Sequence, residues 1–582
     1  MKAIKFISHR NRLLPLLIIV SILFLAVSVF LYSRHDGWDR YHVLSFSESV
    51  PTPVFSVPEG IYDQPFKLEI EAPAGYDIFY TTDGSTPTIH SNRYKKTITV
   101  NPRKNPNRKI LTIPTSLIWK PPYGRQNHCA VFRARCFKEG VGYGKTKNVI
   151  YSPPSIAQHQ EFQVIHLLIE SDSLFSQERG IYVMGQKYYS KKARIVTDSL
   201  YGYKNMSLSR YPANYLQRGK NWARPAEMIL TDITGKTKFE KNILLRIHGN
   251  NTRFFPVRTF RVLPDNLLGD TVIHYRFFDG LPYETFKRIL LRNSGNDLRW
   301  TMFRDAIIQQ MVKGTGMDIQ EYAPGVLYVN GNYWGMTNIR ESINDNYLEI
   351  KYNVALENIE IITSFSNLTL SKLNLLQIGD PLLVHPFVEM VKYLHENSPV
   401  DETVYQYICD QMDIDNFMDY MILETFFGNL DWPDANARVY RLAQQTEMMT
   451  QKNVEADKWR WLVIDLDQAM LDESLSLNTF ERLKNEFDDN PITIIFFALL
   501  KNPEFREMFL SRYEWFITDF LNTDNMLQYI DDFEGRYRPE MVRHIARWRI
   551  PVFLQKWQKE VDQMKVFARK RHAIVLEHLK AL

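Results

Sequence analysis

Cysteine is scarce in this sequence, which has three, Cys129, Cys136 and Cys409, in a chain of 582 residues. Cys129 and Cys136 lie in one alternating segment, HCAVFRARCFKEG, and a strand would hold them roughly 23 Å apart on opposite faces. Cys409 lies in a segment with helical spacing, where a small core residue is expected. We therefore predict a fold that contains no disulfide.

Long runs of one charge are also missing beyond the N-terminus, and the net charge of +5 is small for this length. A nucleic-acid-binding surface needs a basic patch or stripe, so we predict no nucleic-acid partner. The composition is 45% apolar and 13% aromatic, which is ample material for hydrophobic cores. At this length we expect two or three domains.

Standard enzyme motifs are missing as well. The sequence contains no phosphate loop, no GxSxG, no HExxH and no paired CxxC. This excludes the P-loop nucleotidases, the α/β-hydrolases and the common zinc sites. Chemistry must therefore come from other residues, and acids are the candidates.

The first 34 residues indicate where the protein lies. Four basic residues precede an uncharged run at 13–32, LLPLLIIVSILFLAVSVFLY, which is long enough to cross a bilayer as a helix. A signal peptide would have a shorter apolar run and small residues before its cleavage site, whereas this run ends in VFLYS. We predict an uncleaved, single-pass membrane anchor (1–34) with a cytoplasmic N-terminus and an exported remainder.

A β-rich segment follows at 50–152, where short alternating runs are separated by Gly, Pro and Asn. IFYTTDGSTPT, the later Tyr94, VFRARCF and NVIYS resemble the chitobiase/β-hexosaminidase C-terminal domain. The resemblance implies an immunoglobulin-like β-sandwich that serves as a spacer or an adhesive module. Asp83 lies in a turn sequence and is interpreted as a turn former rather than a catalyst.

A linker at 152–160 leads to a region of mixed pattern. Asn330-Gly331 between LYV and NYWG predicts a two-residue hairpin, and 301–313 has helical spacing. In DIDNFMDYMILETFFGNL we expect a helix that Asp413 caps and Gly428 ends. Helices dominate from about residue 401, so the predicted fold class is a multidomain α+β protein with a helical C-terminal part.

Two acids stand in an apolar segment, WRWLVIDLDQAM, at 459–470. If this segment is a strand, Asp465 and Asp467 share a face and repel each other unless a cation lies between them. Oxygen ligands favour Mg²⁺, Mn²⁺ or Ca²⁺ over zinc. Upstream, Asp431 and Asn436 have the Asp-x-x-x-x-Asn spacing of the catalytic loop of protein kinases. Capping of the loop after Gly428 is the alternative interpretation of Asp431.

GNLDWPDANARVYR followed by WRWLVIDLDQAM resembles the CotH (spore-coat protein H) kinase family of atypical protein kinases. LLRIHGNNTRFFPVRTFRV, LLRNSGNDLRWTMFRDAI and GVLYVNGNYWGMTNIRESINDNYL extend the resemblance over about 164–510. It implies that Asp431 is the catalytic acid, that Asn436 binds metal and nucleotide, and that Asp465 is the principal Mg²⁺ ligand with Asp467 beside it.

The same resemblance assigns two further nucleotide-binding residues. Glu341, in NIRESIND, matches an acid that would orient a nucleotide-binding base. Arg258, in FFPVRTF, stands where the family often has Lys, and Arg is not interchangeable with Lys in a tuned pair. Arg304–Asp305 and Arg340–Glu341 are candidate ion pairs.

The predicted domains are the anchor (1–34), the β-sandwich (50–152), a CotH kinase-like domain (162–510) and a helical extension (511–582). The predicted function is a membrane-anchored, exported atypical protein kinase that transfers phosphate from ATP, with Mg²⁺ or Mn²⁺, to Ser/Thr of exported proteins. One alternative is a surface adhesion protein whose β-sandwich binds cell-wall or surface polysaccharide. Another is a metal-dependent glycan hydrolase, for which the two acids would have to be about 5–9.5 Å apart.

Overall fold

The computed structural model describes residues 46–102, 104, 107–190, 212–266, 269–363, 365, 368–373, 382 and 385–582. The predicted basic flank and membrane anchor at 1–34 lie outside the described residues. Among the helices that are described, none has the length and apolar character needed to cross a bilayer.

The N-terminal unit is rich in β-structure, as predicted. Its main sheet has the order β2-β10-β8-β5-β6, with β9 paired to β8, and β1-β4 and β3-β7 form two smaller pairs. The three cysteines are free, as expected. The strands are β1 (Val54–Phe55), β2 (Gly60–Ile61), β3 (Phe66–Leu68), β4 (Ile70–Glu71), β5 (Asp77–Thr81), β6 (Asn92–Arg93), β7 (Ile98–Val100), β8 (Ala130–Lys138), β9 (Gly142–Tyr143) and β10 (Lys147–Ser152).

The following strands form a closed barrel in the order β11-β12-β13-β14-β17-β19-β18, beside a short β15-β16 hairpin. Asn330 and Gly331 have φ of 49° and 79° and join β18 to β19, which confirms the predicted tight hairpin. The strands are β11 (Gln163–Leu168), β12 (Arg224–Thr231), β13 (Thr237–His248), β14 (Thr259–Pro264), β15 (Ile273–His274), β16 (Thr285–Phe286), β17 (Ile289–Arg292), β18 (Tyr322–Val329) and β19 (Asn332–Glu341).

Alternation along the barrel strands divides apolar from charged side chains. Leu245 of β13 and Val262 of β14 are paired in register and belong to the main hydrophobic core. The next pair in the register, Arg246 and Arg261, therefore lies on the opposite face of the same two strands. This outer face of β13 and β14 is where the candidate site is found.

Most helices follow the barrel, and the first three lie between its strands; a three-stranded sheet consists of β20 (Ile359–Ile362), β21 (Val439–Leu442) and β22 (Arg460–Trp461). The helices are α1 (Ser171–Phe175), α2 (Gln186–Tyr189), α3 (Arg304–Met311), α4 (Asp345–Tyr352), α5 (Leu370–Leu373), α6 (Pro386–Glu396), α7 (Glu402–Gln411), α8 (Ile414–Phe427), α9 (Glu447–Gln451), α10 (Asp472–Ser476), α11 (Thr479–Glu486), α12 (Pro491–Leu499), α13 (Pro503–Trp515), α14 (Thr523–Trp548) and α15 (Leu554–Leu579).

Helix α8 begins and ends as its sequence predicts. The Asp413 side chain accepts a hydrogen bond from the amide of Asn416, and Gly428 ends the helix with φ of 60°. The loop that carries Asp431 therefore begins at a defined helix end, Gly428.

The C-terminal helices pack directly on the barrel. Tyr537 of α14 donates a hydrogen bond to Asn338 of β19 at 2.7 Å, and Trp548 donates to the carbonyl of Trp334. These residues are buried, so α14 is part of the wall that supports β19.

Candidate functional site

Two segments converge at the candidate site: the loop at 428–436 and the segment at 459–470. The amide of Leu430 donates to the carbonyl of Gln468 at 3.2 Å, and the amide of Met470 donates to Phe427 at 2.9 Å. The side chain of Asn436 donates to the carbonyl of Asp465 at 3.3 Å. These bonds bring the predicted residues Asp431, Asn436 and Asp465 into one site.

The 459–470 segment is not the continuous strand that its apolar pattern predicts. Only Arg460–Trp461 pairs as a strand, and Asp465 has a left-handed backbone with φ of 51°. Asn436, which bonds to it, has φ of 62°. Non-glycine residues rarely take this conformation, and such residues are concentrated at functional sites.

A cation does lie between Asp465 and Asp467, and the protein itself supplies it. Arg292, at the end of β17, forms ion pairs with Asp465 and, at 3.5 Å, with Asp467. Burial opposes the charge of Arg292, but Asp465, Asp305 and Asp467 together raise its pKa. Side chains as close as Asp465 and Asp467 would otherwise repel each other.

Asp467 is held in place from the barrel side. Its Oδ2 accepts a hydrogen bond of 2.6 Å from the amide of Asn296, and its side chain is 1% exposed. Burial and the charge of Asp465 raise the pKa of Asp467 well above its ordinary value. Gly295 has φ of +61°, and a Cβ there would lie 1.8 Å from Asp467 Oδ2. Only glycine fits this close approach.

Asp465, in contrast, opens to the cleft, with 36% of its side chain exposed. It is the acid of this segment that a ligand can reach. Asp467, engaged by Asn296 and Arg292, positions the segment. The two acids that were predicted side by side thus have different surroundings.

Asp431 is half-buried on the facing loop. Burial raises its pKa, the charge of Asp465 raises it further, and Arg482 opposes both. The charge of Asp465 therefore favours the protonated form of Asp431.

Two side chains below the loop hold it in shape. Arg482 of α11 donates to the carbonyls of Asn429, Leu430 and Trp432 at 3.4, 2.9 and 3.1 Å. Glu424 of α8 is fully buried and accepts a hydrogen bond of 3.0 Å from the side chain of Asn429. Burial raises the pKa of Glu424 to about 8, against the Asn429 hydrogen bond.

Asp305 of helix α3 connects this helix to the segment that carries Asp465 and Asp467. This side chain pairs with Arg340 at 2.9 Å and Arg292 at 3.9 Å, and it accepts a hydrogen bond of 2.9 Å from the amide of Leu466. The candidate pairs Arg304–Asp305 and Arg340–Glu341 are therefore corrected. Arg304 instead pairs with Asp297 at 3.2 Å, and its side chain also bonds to the carbonyls of residues 469 and 470.

Several arginines lie close together near Asp465. We call Arg246, Arg261, Arg288, Arg292 and Arg438 the arginine cluster. Burial lowers the pKa of Arg261 to about 10, and the charges of Arg288, Arg246 and Arg438 add to this effect. Within the described residues, Nε of Arg261, Arg288 and Arg438 is buried without a hydrogen-bond partner. Buried donors of this kind, crowded by like charges, indicate a site for an anion.

Glu341 lies at the end of β19 and takes part in none of the ion pairs described above. It accepts hydrogen bonds from the Tyr283 hydroxyl at 2.6 Å and from the amide of Glu321 at 3.1 Å. Burial raises its pKa. It borders a small cavity together with Lys287 and Arg288, so it adjoins the arginine cluster without pairing to Arg292.

Arg258, predicted to bind the nucleotide, contacts none of Asp431, Asn436 and Asp465. It is 2% exposed and donates to the carbonyls of Arg253, Tyr182 and Thr115. It has the same alternation as the core residues of β14, so its side chain turns away from Arg261. The strand cation that meets the acids is Arg292.

Sequence reasoning missed the arginine cluster. A usable signal was present: Arg246 stands in the apolar strand sequence LLRIH, and Arg288 and Arg292 are four residues apart in RILLR. Residues an even number of positions apart on a strand share a face, so Arg288 and Arg292 are expected on the same side of the sheet. Arg438 carries no such signal because it follows a loop. Its side chain donates a 2.8 Å hydrogen bond to the carbonyl of Ile343; burial lowers its pKa, and the charge of Asp465 opposes this.

These features define a class of protein: a multidomain α+β chain whose barrel and helical part enclose a cleft of acids and arginines. The CotH kinase protein family matches residues 245–575, more than half of the chain, and the chain therefore belongs to this family. The chitobiase/β-hexosaminidase C-terminal domain matches 57–110. No curated protein matches the chain.

Proposed function

We propose that this protein is an atypical kinase that transfers the terminal phosphate of ATP to Ser/Thr hydroxyls. The observation that carries the proposal is that hydrogen bonds join the loop of Asp431 and Asn436 to the segment of Asp465, which pairs with Arg292 of the arginine cluster. Protein kinases use an Asp to orient the hydroxyl, and an Asn and a second Asp for metal ions. Arg292 and Asp305 match the pair that a kinase forms between a strand cation and a helix acid.

The residues fit a hard divalent ion. Within the described residues no group of three His, Cys, Asp or Glu side chains could hold a metal alone. Mg²⁺ in phosphoryl-transfer sites needs only one or two carboxylates, because substrate phosphates and water complete its shell. Asp465 and Asn436 would hold Mg²⁺ or Mn²⁺, and such an ion supplies positive charge against the phosphate oxygens.

Phosphate binding and proton transfer are carried out by residues of the chain itself. The arginine cluster binds the phosphate chain through its positive charge and through Nε donors that have no partner among the described residues. Asp431 accepts a hydrogen bond from the acceptor hydroxyl and takes its proton as the new oxygen–phosphorus bond forms and the bond to the leaving ADP breaks. A raised pKa makes Asp431 a better proton acceptor than an exposed Asp.

Asp431→Asn provides the direct test. The full-length protein is incubated with labelled ATP, Mg²⁺ or Mn²⁺ and a Ser/Thr-rich acceptor. We expect transfer to fall by about 10²–10⁴-fold, the range for loss of a general base. Asp434→Asn is the matched control, because Asp434 is exposed on the same loop. Transfer by the wild type no greater than by Asp431→Asn would refute the proposal.

We further propose that the N-terminal segment anchors the protein and that its acceptors are exported proteins. The apolar run at 13–32 and its basic flank support this. The β-rich unit, through its chitobiase-like stretch at 57–110, would contact surface polysaccharide. Alkaline extraction of membranes tests the anchor, because an integral protein stays in the pellet. A glycan array that gives no signal for the wild type would remove the polysaccharide partner.

A further inference from the structure

We propose that the groove between the N-terminal unit, the barrel and the C-terminal helix pair binds an acidic, apolar segment of the acceptor protein. This inference rests on the proposed kinase function and names the class of acceptor. The groove has a volume of about 450 Å³, within the range of ligand pockets. It lies outside the acid and arginine site described above.

Three parts of the chain build this groove. Residues 117–120 lie between β7 and β8 of the β-rich unit, Phe255 and Arg299 belong to barrel loops, and residues 549–552 connect α14 to α15. The amide of Tyr123 donates to the carbonyl of Ala546 at 2.7 Å, and Thr115 donates to the carbonyl of Pro256 at 3.1 Å. These bonds between the parts make the groove a preformed feature rather than a gap between loose segments.

The groove exposes apolar side chains that a monomer would ordinarily cover. Leu117 is 37% exposed, Ile118 36% and Val552 45%, and the adjoining Phe553 is 53% exposed. An exposed apolar patch bounded by polar residues is a common mark of a protein-binding surface.

The charge of the groove selects the occupant. Among the described residues, its charged lining side chains are Lys120, Arg299, Arg549 and Lys556, and no acid lines it. Within the described chain, none of the four forms an ion pair. Complementarity therefore favours a segment that carries carboxylates beside an aromatic or aliphatic anchor. A concave site of this size suits such a segment better than a flat anionic membrane.

One short helix connects the groove to the transfer site. Arg299 belongs to the short 3-10 helix Gly295–Arg299, whose Asn296 amide holds Asp467. Arg299 also lies 5.7 Å from the centre of the Phe255 ring. An acceptor held in the groove would consequently have the adjoining part of its chain close to Asp431 and Asp465. Docking of this kind lowers the KM of the acceptor without changing the chemical step.

The test uses the full-length chain and a fluorescein-labelled peptide in which Asp and Glu flank a Trp-x-x-Leu anchor. The groove variant is Lys120→Glu/Arg549→Glu/Lys556→Glu. Its charge-matched control is Lys96→Glu/Lys452→Glu/Lys501→Glu, at exposed lysines outside the groove lining. Fluorescence anisotropy should show affinity at least about 10-fold weaker for the groove variant, or 1.4 kcal/mol, and unchanged affinity for the control.

A second measurement joins the same peptide to a Ser/Thr run. The groove variant should raise the KM of the joined acceptor by the same factor, with kcat unchanged. A free Ser/Thr run should be phosphorylated equally by both proteins. Because anisotropy needs no turnover, a protein that binds the peptide in the groove but transfers nothing would refute the kinase function and leave the groove assignment standing.

Three outcomes would overturn the groove proposal. One is equal peptide affinity in wild type and groove variant. Another is equal binding of a peptide in which Lys replaces every Asp and Glu. The third is loss, in the groove variant, of a preference for phosphatidylglycerol over phosphatidylcholine vesicles with peptide affinity unchanged, which would assign the groove to a membrane surface.

Discussion

Replacing Glu424 by glutamine tests the environment beneath the loop of Asp431. Glu424 is fully buried, and burial raises its pKa to about 8 from the ordinary value of 4.5. Because the folded-state pKa is raised, the folded protein holds this proton more tightly than the unfolded chain. The resulting stabilisation is complete below about pH 4.5 and is lost as the pH rises through 8.

The magnitude follows from the two pKa values. The full difference corresponds to about 5 kcal/mol, and about 4 kcal/mol of it falls between pH 5 and pH 9. Glu424→Gln has the same shape, cannot ionise, and can still accept the hydrogen bond from Asn429. We expect its free energy of unfolding to match that of the wild type near pH 5 within about 1 kcal/mol. At pH 9 it should exceed the wild-type value by about 4 kcal/mol.

Urea unfolding at a series of pH values measures this difference, because the other titrating groups cancel between the two proteins. A difference between wild type and Glu424→Gln that stays constant within about 1 kcal/mol from pH 5 to pH 9 would refute the reasoning. Glu424→Leu completes the experiment. It leaves Asn429 without its acceptor, so kcat should fall, whereas Glu424→Gln should keep most of its activity at neutral pH.

Three further predictions concern the site. Gly295→Ala should lower both activity and the free energy of unfolding, by about 1–3 kcal/mol, since its Cβ would displace Asp467, whereas Gly535→Ala in helix α14 should not destabilise. Arg482→Met should lower kcat about 10–100-fold with the KM for ATP nearly unchanged, and Arg482→Lys should recover part of the loss. Arg261→Met should weaken the binding of ATP and of inorganic tripolyphosphate by the same factor, measured by calorimetry. Normal kcat in Arg482→Met, or weakening of ATP alone in Arg261→Met, would contradict the assigned roles.

Local sequence signals predicted the local structure well. Asp413 and Gly428 define the ends of α8, and Asn330-Gly331 defines the β18-β19 turn, because caps and tight turns depend on a few neighbouring residues. The spacing of Asp431 and Asn436 likewise pointed to the loop. Their proximity to Asp465 rests on backbone hydrogen bonds between distant segments, which local spacing does not encode.

The nucleotide-binding arginine shows where prediction from sequence fails. Arg258 and Arg261 are three residues apart, and a one-residue difference in strand register decides which of them faces the cleft. The structure buries Arg258 among carbonyls and places Arg261 opposite Arg246. Arg258 follows an irregular loop, and its position in the sequence therefore does not predict which face of the sheet its side chain takes. Arg292 was missed for a related reason, since its partners Asp465 and Asp467 lie more than 170 residues further along the chain.

The arrangement of charge explains why Asp465 can stay exposed in an apolar segment. Arg292 lies between Asp465 and Asp305, and Asp305 also holds the amide of Leu466, the residue next to Asp465. The acid of the cleft, the strand cation and helix α3 are therefore one connected unit, in which each member fixes the position of the next. A displacement of α3 would move the Leu466 amide and Arg292 together and so change the orientation of Asp465. Activity in such a site should depend on the packing of α3 as strongly as on the acids themselves.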